Sequence, residues 1–482
     1  MAITQEISKI IDRKKEQFIS ASDQIWTFAE TRFEEFRSAA LLSGILEKEG
    51  FSIEQSPAGL ETGFIASFGA GSPVVALLGE YDALTELSQK AEKAEFDPVT
   101  PNANGHGCGH NLLGAGALAA AVAVKDYMLA NGLPGTVKYY GCPAEESGYG
   151  KTFLAREGKF AGVDAAFSWH PASLNAVMHG SSNAVLHATF KFFGKSAHAA
   201  AAPHQGRSAL DAVELMNIGA NYLREHIVDK ARLHYAITNS GGLSPNVVQK
   251  EAEVTYLIRA PKTDMVRALY DRVVDLARGA ALMTGTTMEH TIEGACANLV
   301  PNSTLQAVMH KHLSELGAPE YTEAEYGYAK AIYESLSPED KLEAGQTFGR
   351  ELAALLAERP LPGFVAPYND EREMWMAGST DVADVSWNVP TAQCVTTTMA
   401  FGTPLHAWQT VAQGQSSYAH KGMLLAGKVM ACAAVEVLRS EELAAAAKAE
   451  LEKRLDGHSY DCLVPKEITP PRMSELQAAV RS

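Results

Sequence analysis

Four short segments of the 482-residue chain bring together side chains that bind metal ions or move protons. The first is Gly105-His106-Gly107-Cys108-Gly109-His110-Asn111. Cys108 and His110 stand two apart among glycines that permit a tight turn, and a thiolate and an imidazole at that spacing can face one ion. The same string also suits a glycine-rich turn with incidental polar residues, so alone it decides nothing. The second segment is Glu145-Glu146. Adjacent carboxylates on a loop point different ways, so one can bind metal while the other holds a water, although paired glutamates are common on solvated surfaces. The third and fourth, Trp169-His170-Pro171 and Pro404-Leu405-His406, each place a histidine after an apolar run. A lone histidine there is more often a satisfied polar residue than a ligand. Taken together, the segments supply Cys, His, Glu, His and His, enough for one or two transition-metal ions, and leave Glu145 spare. Those are the parts of metal-assisted hydrolysis: an ion to polarise a carbonyl and acidify water, and a carboxylate to take the proton.

Such a set works only if the fold gathers it at one edge. Residues 74–78, 136–140 and 165–169 read as short buried strands. Helical patterns at about 7–32 and 38–49 precede them, and an apolar helix opens at Asn111 and reaches about Met128. Strands alternating with helices predict an α/β fold with a mixed, mostly parallel sheet and helices on both faces. In such sheets ligands bind beyond the C-terminal strand ends, where the four segments fall. The pattern changes near residue 183. Residues 184–299 read β-α-β-β-α-β, a ferredoxin-like inserted α+β domain, which leaves 1–183 and 300–482 to form the catalytic domain. Residues 300–375 are irregularly helical, 391–401 are β-rich, and 412–436 resemble a packing helix.

Composition narrows the class. With 41 basic and 57 acidic residues the net charge is −16, against the basic face that nucleic acid requires. The content is 46% hydrophobic and 20% charged, ordinary for a globular chain. Residues 1–15 lack the apolar core of a secretory signal. The longest apolar stretch, 112–124, falls short of the roughly 20 residues a bilayer needs, so no membrane role is expected. Six cysteines in so long a chain make no disulfide framework, and the reducing cytoplasm is the expected compartment. His106 is expected to shape its loop. His187, His226, His234 and His290 read as ordinary residues of the insert, and Cys142, Cys296, Cys394 and Cys432 as small core residues.

From about residue 11 to residue 470 the chain resembles the co-catalytic metallopeptidase family that includes aminoacylase, glutamate carboxypeptidase and hippurate hydrolase. It is most like the amidohydrolase branch, whose members carry a Cys-Gly-His motif, a Glu-Glu pair and a Trp-His-Pro-like segment. Thr31-Arg32-Phe33-Glu34-Glu35, Leu78-Gly79-Glu80-Tyr81-Asp82-Ala83-Leu84 and Ser244-Pro245-Asn246-Val247-Val248 are shared as well. The resemblance implies two divalent ions per chain, zinc or manganese, bridged by Cys108 and completed by His110, Glu146, His170 and His406. Glu145 would be the general base, and Asp82 would orient a metal-bound histidine. The insert would act as a lid and dimerisation domain. Its Gly194-Lys195-Ser196-Ala197-His198 matches the segment whose histidine steadies the oxyanion in a partner subunit's site. Asn246 and Arg259 match positions that touch the substrate's carbonyl or carboxylate. The implied substrate is an N-acyl amino acid, foremost p-aminobenzoyl-glutamate, with indole-acetyl-amino acids, hippurate and β-alanyl dipeptides as alternatives. A homodimer and a second related subunit are implied partners. A non-catalytic ligand-binding relative is the rival reading, and the intact ligand set argues against it. The chain departs from the family at Asn111, where aspartate is usual, and at Glu80, where peptidase branches have a histidine ligand. His406 is preferred over His420 as the last ligand because it follows the late strand directly. Residues 314–377 have no counterpart in the smaller members.

Overall fold

The computed structural model describes residues 2–369 and 374–475. Its larger sheet has seven strands in the spatial order Ser52–Gln55, Phe64–Ala70, Gly135–Cys142, Val74–Glu80, Ala165–Ala172, Thr391–Thr397 and Ala176–Met178. The four middle strands run parallel, and the strands outside them pair antiparallel. Alternation along the strands decides which side each residue covers. Val75, Leu77, Val137, Tyr139 and Phe167 enter one core, and Ala76, Leu78, Tyr140 and Ala166 enter the other. Both faces are covered, so the middle strands read as unbroken apolar runs. Helices Ile3–Phe28, His110–Asn131 and Ser417–Leu438 pack on the first face, and the short helices Gly150–Arg156 and Val382–Ser386 lie on the second.

Helix His110–Asn131 is the central support of the first face. It is long and apolar enough to cross a membrane, yet 89% of its most apolar window is buried inside the fold. Its small residues allow close approach. A Cβ at Gly427 would lie 3.0 Å from the Gly116 carbonyl, and Trp169 donates its indole N–H to the Leu113 carbonyl (3.0 Å).

The second sheet has four antiparallel strands in the order Thr287–Cys296, Ala184–Phe193, Glu251–Ala260 and Arg232–Asn239. Helices Ala209–Leu223 and Thr263–Thr284 pack against it and against each other. The chain runs through these six elements as β-α-β-β-α-β.

Several boundaries differ from the sequence expectation. The strand begun at Ala165 runs to Ala172, because the parallel strand Thr391–Thr397 continues the ladder, and His170 lies opposite Val395 inside it. The apolar helix begins at His110 rather than Asn111. The expected packing helix is two, Trp408–Gln413 and Ser417–Leu438, separated at Gly414 and restarted by Ser416, whose hydroxyl caps Ala419 N–H. Strands Ser52–Gln55 and Phe64–Ala70 were not anticipated. Among the described residues, the segment 300–375 holds four helices, two of them opened by the capping boxes Thr322/Glu325 and Ser337/Asp340.

Candidate metal centre

The middle strands end on one side, and the segments that follow them converge there. Gly109, at φ 77, turns the chain into helix His110–Asn131; a Cβ on it would meet Pro171 at 2.9 Å. That turn buries Cys108 and His110 side by side. Gly107 accepts a backbone hydrogen bond from His406 N–H (2.8 Å), which ties the late loop to the early one.

Two sets of donor atoms result, and they share the cysteine. Cys108, His110 and His170 form one, and Cys108, Glu146 and His406 form the other, with the donors of each set within 4.8 Å of one another. That separation lets three donors share one first-row ion, whose bonds run about 2.0–2.3 Å. His110 Nδ1 donates to Asp82 Oδ1 (2.8 Å), which leaves Nε2 as the nitrogen able to face an ion. His170 Nδ1 donates to the Pro171 carbonyl (2.8 Å), and its Nε2 lies 3.3 Å from Cys108 Sγ. Glu146 Oε2 is 3.2 Å from His406 Nε2, and its backbone N–H donates to Asp82 Oδ2 (3.0 Å). Asp82 therefore fixes a member of each set.

The donor chemistry fits divalent cations. His110 Nε2 and Glu146 Oε1 are buried 4.0 Å apart and neither makes a hydrogen bond among the described residues, although Glu80 Oε2 stands 3.3 Å from His110 Nε2. Buried polar atoms rarely stay unpaired. Burial and the Glu146 charge push the Cys108 thiol well up, and a bound cation would favour its thiolate. Burial opposes the charged form of Glu146, but His406 and His110 hold its carboxyl below the usual range.

Glu145 stands apart from both sets of three. Its carboxyl is pushed well above the ordinary range by burial and by the charges of Glu80, Asp381 and Glu146. Glu80, His110 and Glu145 form a third group of nearby donors. Glu80, however, already has a cation: Lys151 Nζ, wholly buried, lies 2.7 Å from Glu80 Oε1 and 2.6 Å from Asp381 Oδ1.

The remaining expected residues lie elsewhere. His198 and Asn246 are exposed neighbours on the second sheet's loops, joined where Ala199 N–H donates to the Asn246 carbonyl (3.0 Å). His198 accepts backbone hydrogen bonds at Nδ1 from Ala200 and Ala201. Arg259 donates to Ser379 Oγ (3.0 Å). His420 pairs with Asp23 (2.9 Å), away from the donor sets, and Asn111 points back to Ser22 and the Gly414 carbonyl. His106 Nε2 donates to the Ile25 carbonyl (3.0 Å), and burial lowers its ring to about 4. Lys151 and Asp381 had no sequence signal, because their partners are remote in the chain.

Residues 76–354 match the family described as peptidase family M20/M25/M40. Over 477 residues the chain is 49% identical to the p-aminobenzoyl-glutamate hydrolase B subunit of Escherichia coli, covering 97% of this chain and 99% of that protein. The chain belongs to peptidase family M20/M25/M40. It is also 33% identical over 320 residues to the mouse Xaa-Arg dipeptidase, covering 64% of this chain and 70% of that one. Among solved structures, a dinuclear metal-binding M20 peptidase from Bacillus subtilis shares the fold at a TM-score of 0.54 and 19% identity, covering 89% of this chain and 99% of that one. In this M20 chain the donor sets, the spare glutamate and Asp82 all sit where the parallel strands end.

Proposed function

We propose that the protein hydrolyses the amide bond of an N-acyl amino acid, foremost p-aminobenzoyl-glutamate to p-aminobenzoate and glutamate. The observation that carries this reading is the pair of donor sets sharing Cys108, with Glu145 beside them. The substrate reading is supported by the whole-length similarity to one subunit of p-aminobenzoyl-glutamate hydrolase. Bound ions, zinc or manganese, would polarise the scissile carbonyl and acidify a water. Glu145 accepts the proton of that water and returns it to the departing amine nitrogen. Asp82 keeps His110 in the tautomer that presents Nε2. Arg259 offers a planar fork for the substrate's carboxylate, and Asn246 a side-chain amide for its carbonyl. His198 acts from a partner subunit, steadying the oxyanion; its exposure on the second unit supports that role. Residues 184–299 serve as lid and dimerisation domain between the catalytic halves 1–183 and 300–482. The Escherichia coli relative is one of two differently named subunits of its hydrolase, which supports a second related subunit here. Six unpaired cysteines support a reducing cytoplasmic setting.

The test is amine release by metal-stripped protein reloaded separately with zinc and with manganese. Its substrates are p-aminobenzoyl-glutamate, hippurate, indole-acetyl-aspartate and β-alanyl-lysine. Metal-dependent release, fastest from p-aminobenzoyl-glutamate, is the expected result. Protein that binds neither ion would remove the reading.

A further inference from the structure

The stretch Thr31-Arg32-Phe33-Glu34-Glu35 supplies no donor to the metal centre, yet it grips the turn that presents Glu145 and Glu146. Glu35 is fully buried. Its Oε1 accepts the backbone N–H of Ala144 (3.0 Å) and of Phe33 (3.0 Å), and its Oε2 accepts the Thr62 hydroxyl (2.8 Å). Arg32 is buried as well. Its Nη1 donates to the Ser147 carbonyl (2.6 Å) and its Nε to the Pro471 carbonyl (3.0 Å). One side chain therefore fixes the residue before Glu145, and the other fixes the residue after Glu146. Between them the Phe33 ring fills the space beside Gly148, where a Cβ would come within 2.5 Å of it. The third guanidinium nitrogen of Arg32, Nη2, is buried without a partner among the described residues, so two carbonyls hold this cation rather than a hydrogen-bonded carboxylate.

The gripped turn is one that would not keep its shape unaided. Ala144 O closes it by accepting from Gly148 and Tyr149 N–H (2.8 and 2.7 Å). Phe33, Ala144 and Tyr149 have φ of 56, 57 and 57. That left-handed region is unfavourable for a residue with a side chain, and it persists where the surroundings over-determine it.

We propose that Arg32 and Glu35 are positioning residues for hydrolysis: they clamp the two ends of the Ala144–Ser147 turn and thereby set where the carboxylates of Glu145 and Glu146 point. The proposal rests on the reading of Glu145 as the proton acceptor. An error on the order of 1 Å in a reacting group costs about 10²-fold in rate. Glutamine in place of Glu35 keeps an Oε1 acceptor for Ala144 and can donate to Thr62, whereas alanine leaves two N–H groups and a hydroxyl unpaired.

The experiment compares Glu35→Ala, Glu35→Gln and Arg32→Lys in the full chain. It measures kcat and KM on p-aminobenzoyl-glutamate, bound metal, and backbone hydrogen exchange in peptides covering the turn and the central helix. Glu35→Ala and Arg32→Lys are expected to lower kcat by about 10²-fold with KM little changed. The turn amides should exchange faster while the helix His110–Asn131 stays protected, and Glu35→Gln should recover most of the lost kcat. Unchanged turn exchange in Glu35→Ala would overturn the clamp, and so would loss of protection in the helix to the same degree as in the turn. The exchange readout needs no turnover, so it stands or falls separately from the base assignment, which Glu145→Gln tests within an intact turn.

Discussion

His406 and His420 are similar candidates in the sequence, and what separates them is the company each side chain keeps. His406 is 53% exposed on its side chain and faces Glu146 at 3.2 Å, with a positive φ of 61 that the bond to Gly107 holds in place. His420 lies in the first turn of a helix and pairs with Asp23. His406→Ala is expected to bind one ion fewer per chain and lose turnover. His420→Ala should keep both ions and cost about 1 kcal/mol, the scale of one hydrogen bond. Metal analysis together with thermal unfolding of the two variants checks both. The members of the two donor sets were legible in the sequence because each lies next to an apolar strand or a glycine turn. Glu35 and Lys151 were not, because their chemistry depends on remote partners: Lys151 meets Asp381 across 230 positions of sequence. Glu80 was legible only as a departure, and the structure gives its reason in the buried lysine beside it.

At the scale of elements, Asp384 joins three pieces of chain. On helix Val382–Ser386, it accepts the Thr152 hydroxyl (3.0 Å), Ala297 N–H (3.1 Å) and the Tyr460 hydroxyl (2.7 Å). These partners lie on a neighbouring helix, just past the last strand of the second sheet, and in the C-terminal tail. Burial raises its carboxyl from 3.8 to about 7, against those hydrogen bonds. The folded chain therefore holds this proton more tightly than the unfolded chain. Its contribution to stability is full below about pH 4 and is lost as the pH rises through about 7. That difference corresponds to roughly 4 kcal/mol at most. Asp384→Asn should flatten the fall in unfolding free energy between pH 4 and 7 relative to the parent chain, measured by denaturant titration across that range. An identical pH slope in the two proteins would contradict it. The positions of the four middle strands were legible from apolar runs, but their ends were not, and the outer strands Ser52–Gln55 and Phe64–Ala70 gave no such run. The ladder to Thr391–Thr397 extends Ala165–Ala172 past Trp169, and no local pattern in the sequence encodes a partner so remote.

On the scale of the whole molecule, the candidate residues divide between two sheets. His170 lies on a strand of the seven-stranded sheet and Cys108, His110, Glu146 and His406 on the turns and helix start beside its strand ends, whereas His198 and Asn246 sit exposed on the four-stranded unit. If His198 works across a dimer, His198→Ala and Glu145→Gln chains, each inactive alone, should regain turnover when mixed, with one competent site in each mixed dimer. No recovery in mixtures shown to exchange subunits would place His198 outside the chemistry. The α/β class and the β-α-β-β-α-β run were legible from periodicity, because each depends on local alternation of apolar residues. How the second unit faces the metal centre depends on contacts that no single segment encodes. The most direct test of the whole reading is to measure bound metal and turnover together in Glu145→Gln. Two ions per chain with turnover reduced at least 10²-fold is the expected result. Turnover at the parent rate, or loss of the ions with the carboxylate, would contradict Glu145 as the base of a dinuclear hydrolase.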